Sequence, residues 1–422
     1  MTGQVPAMPT TPVPAGWTLA GLLGGLLLGL ALHGSAALVP LLSVATPLGA
    51  LWLRALQMTI VPLVVSLLFT GIVQTVAAAS AGAMARRCLA LFGVVLVAGG
   101  AMAALVIPLA LEIWPVPSGA AAALASTAPQ STGRVPGIAD FLQSLVPSNV
   151  FNSAASDAML PLILFTTLFA LASTRLADAP HRQLAGFFEA TAGAMMVVIG
   201  WVLALAPLGV FCLALGVAAS SGAGAIGALA HYIALVVAIG GVILVAAYTL
   251  AATAGRQRLG TFARAMLPAQ AVAVSTQSSL ASLPAMLDSC RRLGLRETSG
   301  EFVLPLAVAL FRATSPAMNM AVAIYAAHLT GTALTPAVLA AGVAVAALMA
   351  LGTVSLPGTI SFVATVGPIA LAMGVPLGPL ALLVAVEMLP DIMRTLANVT
   401  MDVAVTAVVD RKSSPERGGG PA

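Results

Sequence analysis

Residues 387–402 read EMLPDIMRTLANVTMD and lie in the last long apolar segment of the chain. Polar side chains interrupt this segment at intervals that match a helix: at 100° per residue, six of the seven project within one sector of about 100°. These six are Glu387, Asp391, Arg394, Thr395, Asn398 and Asp402. One face of a single apolar helix is therefore predicted to carry four charged groups.

The composition of the whole chain indicates an all-α integral membrane protein. Of the 422 residues, 60% are hydrophobic and 7% are charged, whereas a soluble domain carries about 25% charged residues. The mean hydropathy is +1.07, and apolar runs of about 20 residues, each enough for one crossing, repeat along the chain. We predict eight transmembrane helices, at about 17–34, 49–77, 88–112, 158–175, 190–218, 226–254, 300–328 and 376–408.

The basic residues predict the orientation in the membrane. Thirteen of the 17 Lys and Arg residues cluster in connections on one side of the predicted spans, and the positive-inside rule makes that side the cytoplasm. Residues 1–16 contain no Lys or Arg and so lack the basic region of a signal peptide. We expect cytoplasmic tails at 1–16 and 411–422 around a core at 17–410, surrounded by lipid in a bacterial inner membrane.

Charged groups at membrane depth require an explanation. Each costs about 2.5–3.5 kcal/mol at the bilayer centre, so five of them facing lipid would cost on the order of 15 kcal/mol. They must therefore face protein or water. A binding surface for an ionic solute is favoured over a seam that only joins helices, because such a seam rarely needs this many charges. The five are Arg312, Glu387, Asp391, Arg394 and Asp402.

Two further hydrophobic stretches are interrupted in the middle, by STQSSLASLP at 275–284 and by GTVSLPGT at 352–359. For either stretch alone, a proline-kinked helix is the alternative. Irregular backbone at membrane depth is tolerated where it lines a cavity, and a pair in matching halves is typical of transporters built from inverted repeats. We predict re-entrant helical hairpins at about 264–292 and 335–372, whose half-helix ends offer N–H groups to carboxylates.

Other functional classes lack the residues that they need. The basic residues form no run of five or more, which argues against a nucleic-acid partner. No histidine is placed to pair with a serine for hydrolysis, and the chain has no P-loop or dinucleotide motif. The three cysteines lie far apart without a CxxC spacing. We therefore expect neither an enzyme nor a bound cofactor.

The segment 391–402 resembles the DxGRTxxNVxGD signature of the dicarboxylate/amino acid:cation symporters, the glutamate transporter homologues. Other matches follow the family's order and spacing over about residues 17–410. These are Ser282-Leu-Pro284, Gly352-Thr353-Val-Ser-Leu-Pro357-Gly358, Ile60-Val-Pro62-Leu and Pro207-Leu-Gly-Val-Phe211.

The resemblance implies a homotrimeric elevator transporter. Spans one, two, four and five would form a fixed scaffold. Span three, span six, both hairpins and spans seven and eight would form the transport domain that moves with the substrate. The transported solute would be a small anion.

The resemblance also implies roles for individual residues. Arg394 would bind a side-chain carboxylate and Asp391 the amino group, while Thr395, Asn398 and the backbone at Ser279 would make the remaining contacts. An arginine fork suits a carboxylate. We expect an acidic amino acid or a C4-dicarboxylate, and Asp391 beside Arg394 favours the amino acid. The predicted substrate site comprises Ser278, Ser279, Ser315, Pro357, Gly358, Asp391, Arg394, Thr395 and Asn398.

The sequence departs from the family at the ion sites. The family's sodium-binding Asn-Met-Asp-Gly-Thr is replaced by FRATS at 311–315, and the third span (88–100) lacks the Tyr, Thr and Ser of another ion site. We predict that Arg312 replaces a bound cation and faces Asp402, an ion ligand in relatives; the alternative is a second carboxylate clamp. Sodium and protons are the candidate coupling ions. We expect transport without a sodium requirement, either proton-linked through Glu387 or Asp402 or as uncoupled exchange.

Two other interpretations stay open. The same polar stripe would serve a carrier of a neutral amino acid or another small organic anion. It would also serve a channel-like or structural membrane protein, which would conduct or bind without saturable, competitively inhibited uptake.

Overall fold

The computed structural model describes residues 15–35, 37–116, 146–221, 224–352 and 358–413. Within these ranges the regular structure is entirely helical. The helices are α1 (Ala15–Ala31), α2 (Leu38–Ser80), α3 (Ala83–Ile113), α4 (Val150–Ala155), α5 (Met159–Ser173), α6 (Asp178–Ala204), α7 (Ala206–Ser221), α8 (Gly224–Thr253), α9 (Leu259–Thr276), α10 (Leu283–Arg292), α11 (Glu297–Leu310), α12 (Ser315–Thr330), α13 (Pro336–Gly352), α14 (Gly358–Ala372), α15 (Gly378–Leu383), a 3₁₀ helix (Val384–Val386) and α16 (Met388–Ser413).

The helices have the length and composition of a multipass membrane protein. Among the described residues, six helical segments are long and apolar enough to cross a membrane, and further apolar helices of 10–17 residues accompany them. Large apolar side chains also stand exposed on the outside, including Met58, Leu105 and Trp201. A soluble monomer rarely exposes so much apolar surface, which suits contact with lipid or another subunit.

One group of helices comprises α1, α2 and α4–α7. Within it α2 packs against α5, α6 and α7, and α1 packs along α7. Glycines permit the close approach of α1 to α7: a Cβ on Gly21 would lie 2.3 Å from the carbonyl oxygen of Pro207, and one on Gly25 would lie 2.4 Å from that of Phe211. Small residues at helix contacts bring two backbones together inside membranes, and here they hold a short helix against its neighbour.

The second group comprises α3 and α8–α16, with α12 and α16 at its centre. α16 packs against α8, α9 and α11, while α12 packs against α3, α8, α13 and α14. Nearly every side chain of α12 is buried, as expected for a helix that is apolar on all sides and enclosed by other helices. The core of this group therefore lies around the two helices that carry most of the predicted site.

Three of the predicted spans are divided in the structure, and the last of them, at 376–408, consists of α15, the 3₁₀ helix and most of α16. The span predicted at 190–218 consists of α6 and α7, which meet at Leu205, because Pro207 lacks the N–H that would continue the helical hydrogen bonds. The span predicted at 300–328 consists of α11 and α12, separated by residues 311–314, with Pro316 in the first turn of α12. This second break places non-helical backbone beside α16.

The stretches predicted as hairpins form two pairs of contacting helices. The pair α9 and α10 spans 259–292 and turns through Gln277, which has a left-handed backbone with φ of 52°. The pair α13 and α14 spans 336–372, and the turn at 353–357, with Pro357, lies outside the described residues. Both pairs match the predicted positions to within about five residues; whether they re-enter the membrane stays a prediction.

The two groups meet mainly through the second pair. α13 and α14 pack against α2, α15 packs against α7, and the 3₁₀ helix packs against α1, whereas the main contacts of α9 and α10 stay within the second group. A small apolar cavity lies at this interface, lined by Leu56, Ile60, Phe362, Gly367 and Leu380 among others. The described side chains that line this part of the interface are therefore mostly apolar.

Candidate functional site

The guanidinium of Arg394 is the centre of the buried polar cluster. Its Nη2 donates to Oε1 of Glu387 at 2.5 Å, and its Nη1 donates to Oδ1 of Asn319 at 3.0 Å. Its Nε lies 3.4 Å from Oδ1 of Asp391. Each of the three nitrogens thus faces an oxygen of the chain itself. This compensation explains how an arginine that is only 4% exposed can be accommodated in the core.

The start of α16 places these groups by simple helical geometry. Glu387 follows the 3₁₀ helix and its carbonyl accepts from the N–H of Asp391 at 2.9 Å, which opens the first turn. Arg394 follows Glu387 by seven residues and Asp391 by three, so all three side chains lie on one face. Acidic side chains in a first turn also complement the helix dipole. Local sequence is therefore sufficient to build this part of the site.

Asn398 joins α16 to the break before α12. Its Oδ1 accepts hydrogen bonds from the N–H and the hydroxyl of Thr314, at 2.9 and 3.0 Å. The N–H of Thr314 precedes the first residue of α12 and has no helical partner of its own. Asn398 therefore supplies the hydrogen-bond acceptor that the Thr314 N–H lacks at the helix break. Thr395 is buried about one turn earlier on α16.

Asn319 and Tyr232 belong to the cluster although the sequence analysis did not select them. Nδ2 of Asn319 donates to the hydroxyls of Ser315 at 2.9 Å and Thr365 at 2.8 Å, so this amide connects α12, α14 and Arg394. The hydroxyl of Tyr232 on α8 donates to Oε2 of Glu387 at 3.4 Å. A signal for Asn319 existed, because it is a lone amide within an apolar run; nothing local marked Tyr232.

The predicted ion pair between Arg312 and Asp402 is wrong. Arg312 lies in the break before α12, and its electrostatic neighbours include Arg394 and Asp391. Asp402 is 1% exposed, and neither of its carboxylate oxygens accepts a hydrogen bond from the described residues. The two residues do not meet because Arg312 lies near Arg394. Asp402 follows Arg394 on α16 by eight residues, which is about 12 Å of helix.

The hairpin residues are less directly connected to the cluster. Oγ of Ser278 accepts from the N–H of Ala281 at 3.2 Å, and the Ser278 carbonyl accepts from Ser282, so these bonds stay within the turn. Ser279 beside it is half-buried. Pro357 lies outside the described residues, and Gly358 is the first residue of α14. Ser315 joins the cluster through Asn319, whereas the hydrogen bonds shown for Ser278 do not reach it.

The model of the sodium:dicarboxylate symporter family matches residues 15–412. The chain belongs to this family. It is 29% identical over 401 residues to the proton/sodium-glutamate symport protein of Bacillus subtilis, covering 93% of this chain and 90% of that protein. It is 29% identical over 402 residues to the proton/glutamate-aspartate symporter of Escherichia coli, covering 91% and 89%. It is also 24% identical over 371 residues to the C4-dicarboxylate transport protein of Leptothrix cholodnii, covering 86% and 82%.

Membership fixes the general class of this protein. The family consists of symporters, so the chain is a multipass membrane transporter and not an enzyme. The relatives named for proton/sodium-glutamate and C4-dicarboxylate transport confirm the predicted family. The polar cluster around Arg394 therefore belongs to a transporter.

The two segments in which the sequence predicts missing ion ligands contact each other in the structure. The rings of Phe92 on α3 and Phe311 are stacked at 4.2 Å with an angle of 7° between their planes, and both are buried. Ala313, two residues further on, is also fully buried. A hard cation needs oxygen ligands, and these side chains offer none. The two altered segments, in α3 and before α12, therefore contact each other through the apolar rings of Phe92 and Phe311.

Proposed function

We propose that the protein is a secondary transporter of an acidic amino acid or a C4-dicarboxylate in a bacterial inner membrane, with both termini in the cytoplasm. The buried guanidinium of Arg394 carries this proposal. An arginine is costly at membrane depth, so its presence there indicates a function. Its planar fork suits a carboxylate. Asp391 beside it would pair with the ammonium of an amino acid. The names of the glutamate and dicarboxylate relatives support the same substrate class.

We further propose that transport follows an elevator mechanism in a homotrimer with eight spans and two re-entrant hairpins. The group of α1, α2 and α4–α7 would be the scaffold, and the group of α3 and α8–α16 would move. The described members of the predicted binding site all lie in the second group. The apolar cavity at the interface between the groups supports sliding, because apolar contacts have no directional bonds.

Sodium is not required in the proposed cycle, which is proton-linked or an uncoupled exchange. The Phe92–Phe311 stack supports this, since it joins the two segments in which the resemblance implies that ion ligands are missing. Asp402 also supports a proton as the coupling ion. Its carboxylate is buried and accepts no hydrogen bond from the described residues. An ionised carboxylate in that position would cost several kcal/mol, so the protonated acid suits this structure. Arg312, if it does not replace a cation, would serve as a second clamp for a substrate carboxylate.

Counterflow in proteoliposomes tests the proposal. Vesicles loaded with unlabelled aspartate should accumulate labelled aspartate or glutamate, and succinate should compete if dicarboxylates share the site; omitting sodium should not abolish uptake. Arg394→Cys should lose acidic substrates, whereas Arg54→Cys, at an exposed arginine of α2, should retain them. Undiminished uptake by Arg394→Cys would refute the role of Arg394. Conductance without saturable uptake would favour a channel.

A neutral amino acid is the second candidate substrate. The observation in its favour is that all three nitrogens of Arg394 already face oxygens from Glu387, Asn319 and Asp391. A zwitterion without a side-chain charge would leave that arrangement intact. Uptake of labelled neutral amino acids in the same vesicles, with no competition from aspartate, would establish this alternative.

A further inference from the structure

The charges around Arg394 cancel before any substrate binds. Two arginines, Arg312 and Arg394, lie near two carboxylates, Glu387 and Asp391. Glu387 makes the shorter of the two ion pairs with Arg394, 2.5 Å against 3.4 Å for Asp391. A substrate carboxylate that approaches Arg394 therefore meets a guanidinium that already holds a carboxylate of the protein.

We propose that Glu387 is a tethered competitor of the substrate: it occupies Arg394 in the empty carrier and takes up one proton when an acidic amino acid binds. This inference rests on the proposed function and narrows its substrate class. In the exchange, one proton from water adds to the Glu387 carboxylate, and its ion pair with Nη2 of Arg394 breaks. The substrate carboxylate then accepts the hydrogen bond that Nη2 had donated to Glu387. The only covalent bond that forms is the new O–H bond of Glu387.

Charge balance favours an acidic amino acid over a dicarboxylate. Aspartate or glutamate carries a net charge of about −1 at neutral pH, so one proton on Glu387 restores neutrality in the buried site. Its ammonium also pairs with Asp391, which then stays ionised. A C4-dicarboxylate carries two negative charges and no ammonium, so both Glu387 and Asp391 would have to be protonated. Each additional proton makes binding weaker as the pH rises.

The surroundings of Glu387 single it out from the other two acids. Its charged and titratable neighbours are Arg394 and Asp391 on α16 and Tyr232 on α8. The Tyr232 hydroxyl donates to Oε2, so it can continue to bond the carbonyl oxygen of the protonated acid. Asp391 is needed for the ammonium, and Asp402 lies two turns further along α16 without a hydrogen bond to the cluster. Glu387 is thus the acid that the substrate replaces as the partner of Arg394.

Isothermal titration of the purified, full-length protein with L-aspartate tests this inference. Titrations in two buffers with different ionisation enthalpies give the number of protons taken up per aspartate, which should be about one. In the pH range where Glu387 is ionised in the empty carrier, the affinity should fall about tenfold per pH unit. Glu387→Gln should bind aspartate with little proton uptake and no such slope. Glu301→Gln, at an exposed carboxyl of α11, should behave as the parent does.

The alternative outcomes are distinct. A parent slope and proton count retained in Glu387→Gln would overturn the inference and leave the proposed function intact, as would aspartate binding by the parent without proton uptake. A folded Glu387→Gln protein that no longer binds aspartate would overturn it as well, because removal of a competitor cannot abolish binding. If Glu387→Gln does not fold, Glu387→Asp decides instead: it keeps the carboxylate and must keep the proton uptake. No binding of any acidic substrate by the parent would reject the proposed function itself.

Discussion

The ion pair between Arg394 and Glu387 allows an asymmetric prediction about stability. The two side chains are 5% and 1% exposed, so the pair is buried, and two unit charges about 4 Å apart at an effective dielectric constant of 20 attract by about 4 kcal/mol. Arg394→Met removes the partner of two carboxylates at once and should cost about 5 kcal/mol, the upper end for a broken buried pair. Glu387→Met leaves Arg394 with Asp391 and should cost only about 1.5–3 kcal/mol.

The double variant provides the decisive comparison. Arg394→Met combined with Glu387→Met removes one of the two stranded carboxylates, so it should be more stable than Arg394→Met alone by about 2 kcal/mol or more. Thermal melting of the purified variants in detergent, in one buffer at neutral pH, gives the order. Two results would contradict the reasoning: a double variant that melts lower by the sum of both single effects, or a Glu387→Met protein that is less stable than Arg394→Met.

Three further predictions concern packing, motion and the orphaned acid. A Cβ on Gly209 would lie 2.2 Å from a tryptophan ring of α2, so Gly209→Ala should lower stability by about 1–3 kcal/mol, whereas Gly216→Ala, with no atom within 4 Å, should not; melting temperatures decide. A Cβ on Gly367 would lie 3.3 Å from Cδ1 of Ile60, so cysteines at both positions, in a background without the native cysteines, should be bridged by a short thiol-reactive cross-linker, which should stop transport; full activity of the cross-linked protein would contradict the elevator. Asp402→Asn should change stability by less than about 1 kcal/mol, because the carboxylate accepts no hydrogen bond from the described residues; sodium-dependent stabilisation of the parent that the variant lacks would instead identify a cation ligand.

The polar face of α16 could be predicted from the sequence alone. Two principles were sufficient: the helical repeat places Glu387, Asp391 and Arg394 on one side, and the cost of charge at membrane depth requires that this side face protein or water. The ion pairs of Arg394 with both acids are short-range consequences of that repeat. Features that depend on a single helix were therefore accessible without a structure.

Contacts between distant helices could not be predicted in the same way. Asn319 and Tyr232 reach the cluster from α12 and α8, and no local pattern states which turn of one helix faces which turn of another. The expected contact of Arg312 with Asp402 failed for the same reason. It assumed that two residues assigned to one ion site face each other, although Asp402 lies two turns of α16 beyond Arg394. Helical periodicity gives direction around an axis but not the register between axes.

The aromatic stack shows what such long-range contacts add to the question of ion coupling. From the sequence, the changes at Phe311 and in α3 are two separate losses of ion ligands. In the structure, Phe92 and Phe311 stack at 4.2 Å, a contact worth about 0.5–1.5 kcal/mol beyond the burial of its surface. An ion bound between two helices joins them only while it is present, and that conditional contact is what links ion binding to substrate binding. The two stacked rings are side chains of the protein itself, so they can hold the two segments together without a bound ion. If α3 and the break before α12 are joined in this way throughout the cycle, the coupling has to be carried by groups that still change charge, and Glu387 makes the shorter of the two ion pairs with Arg394.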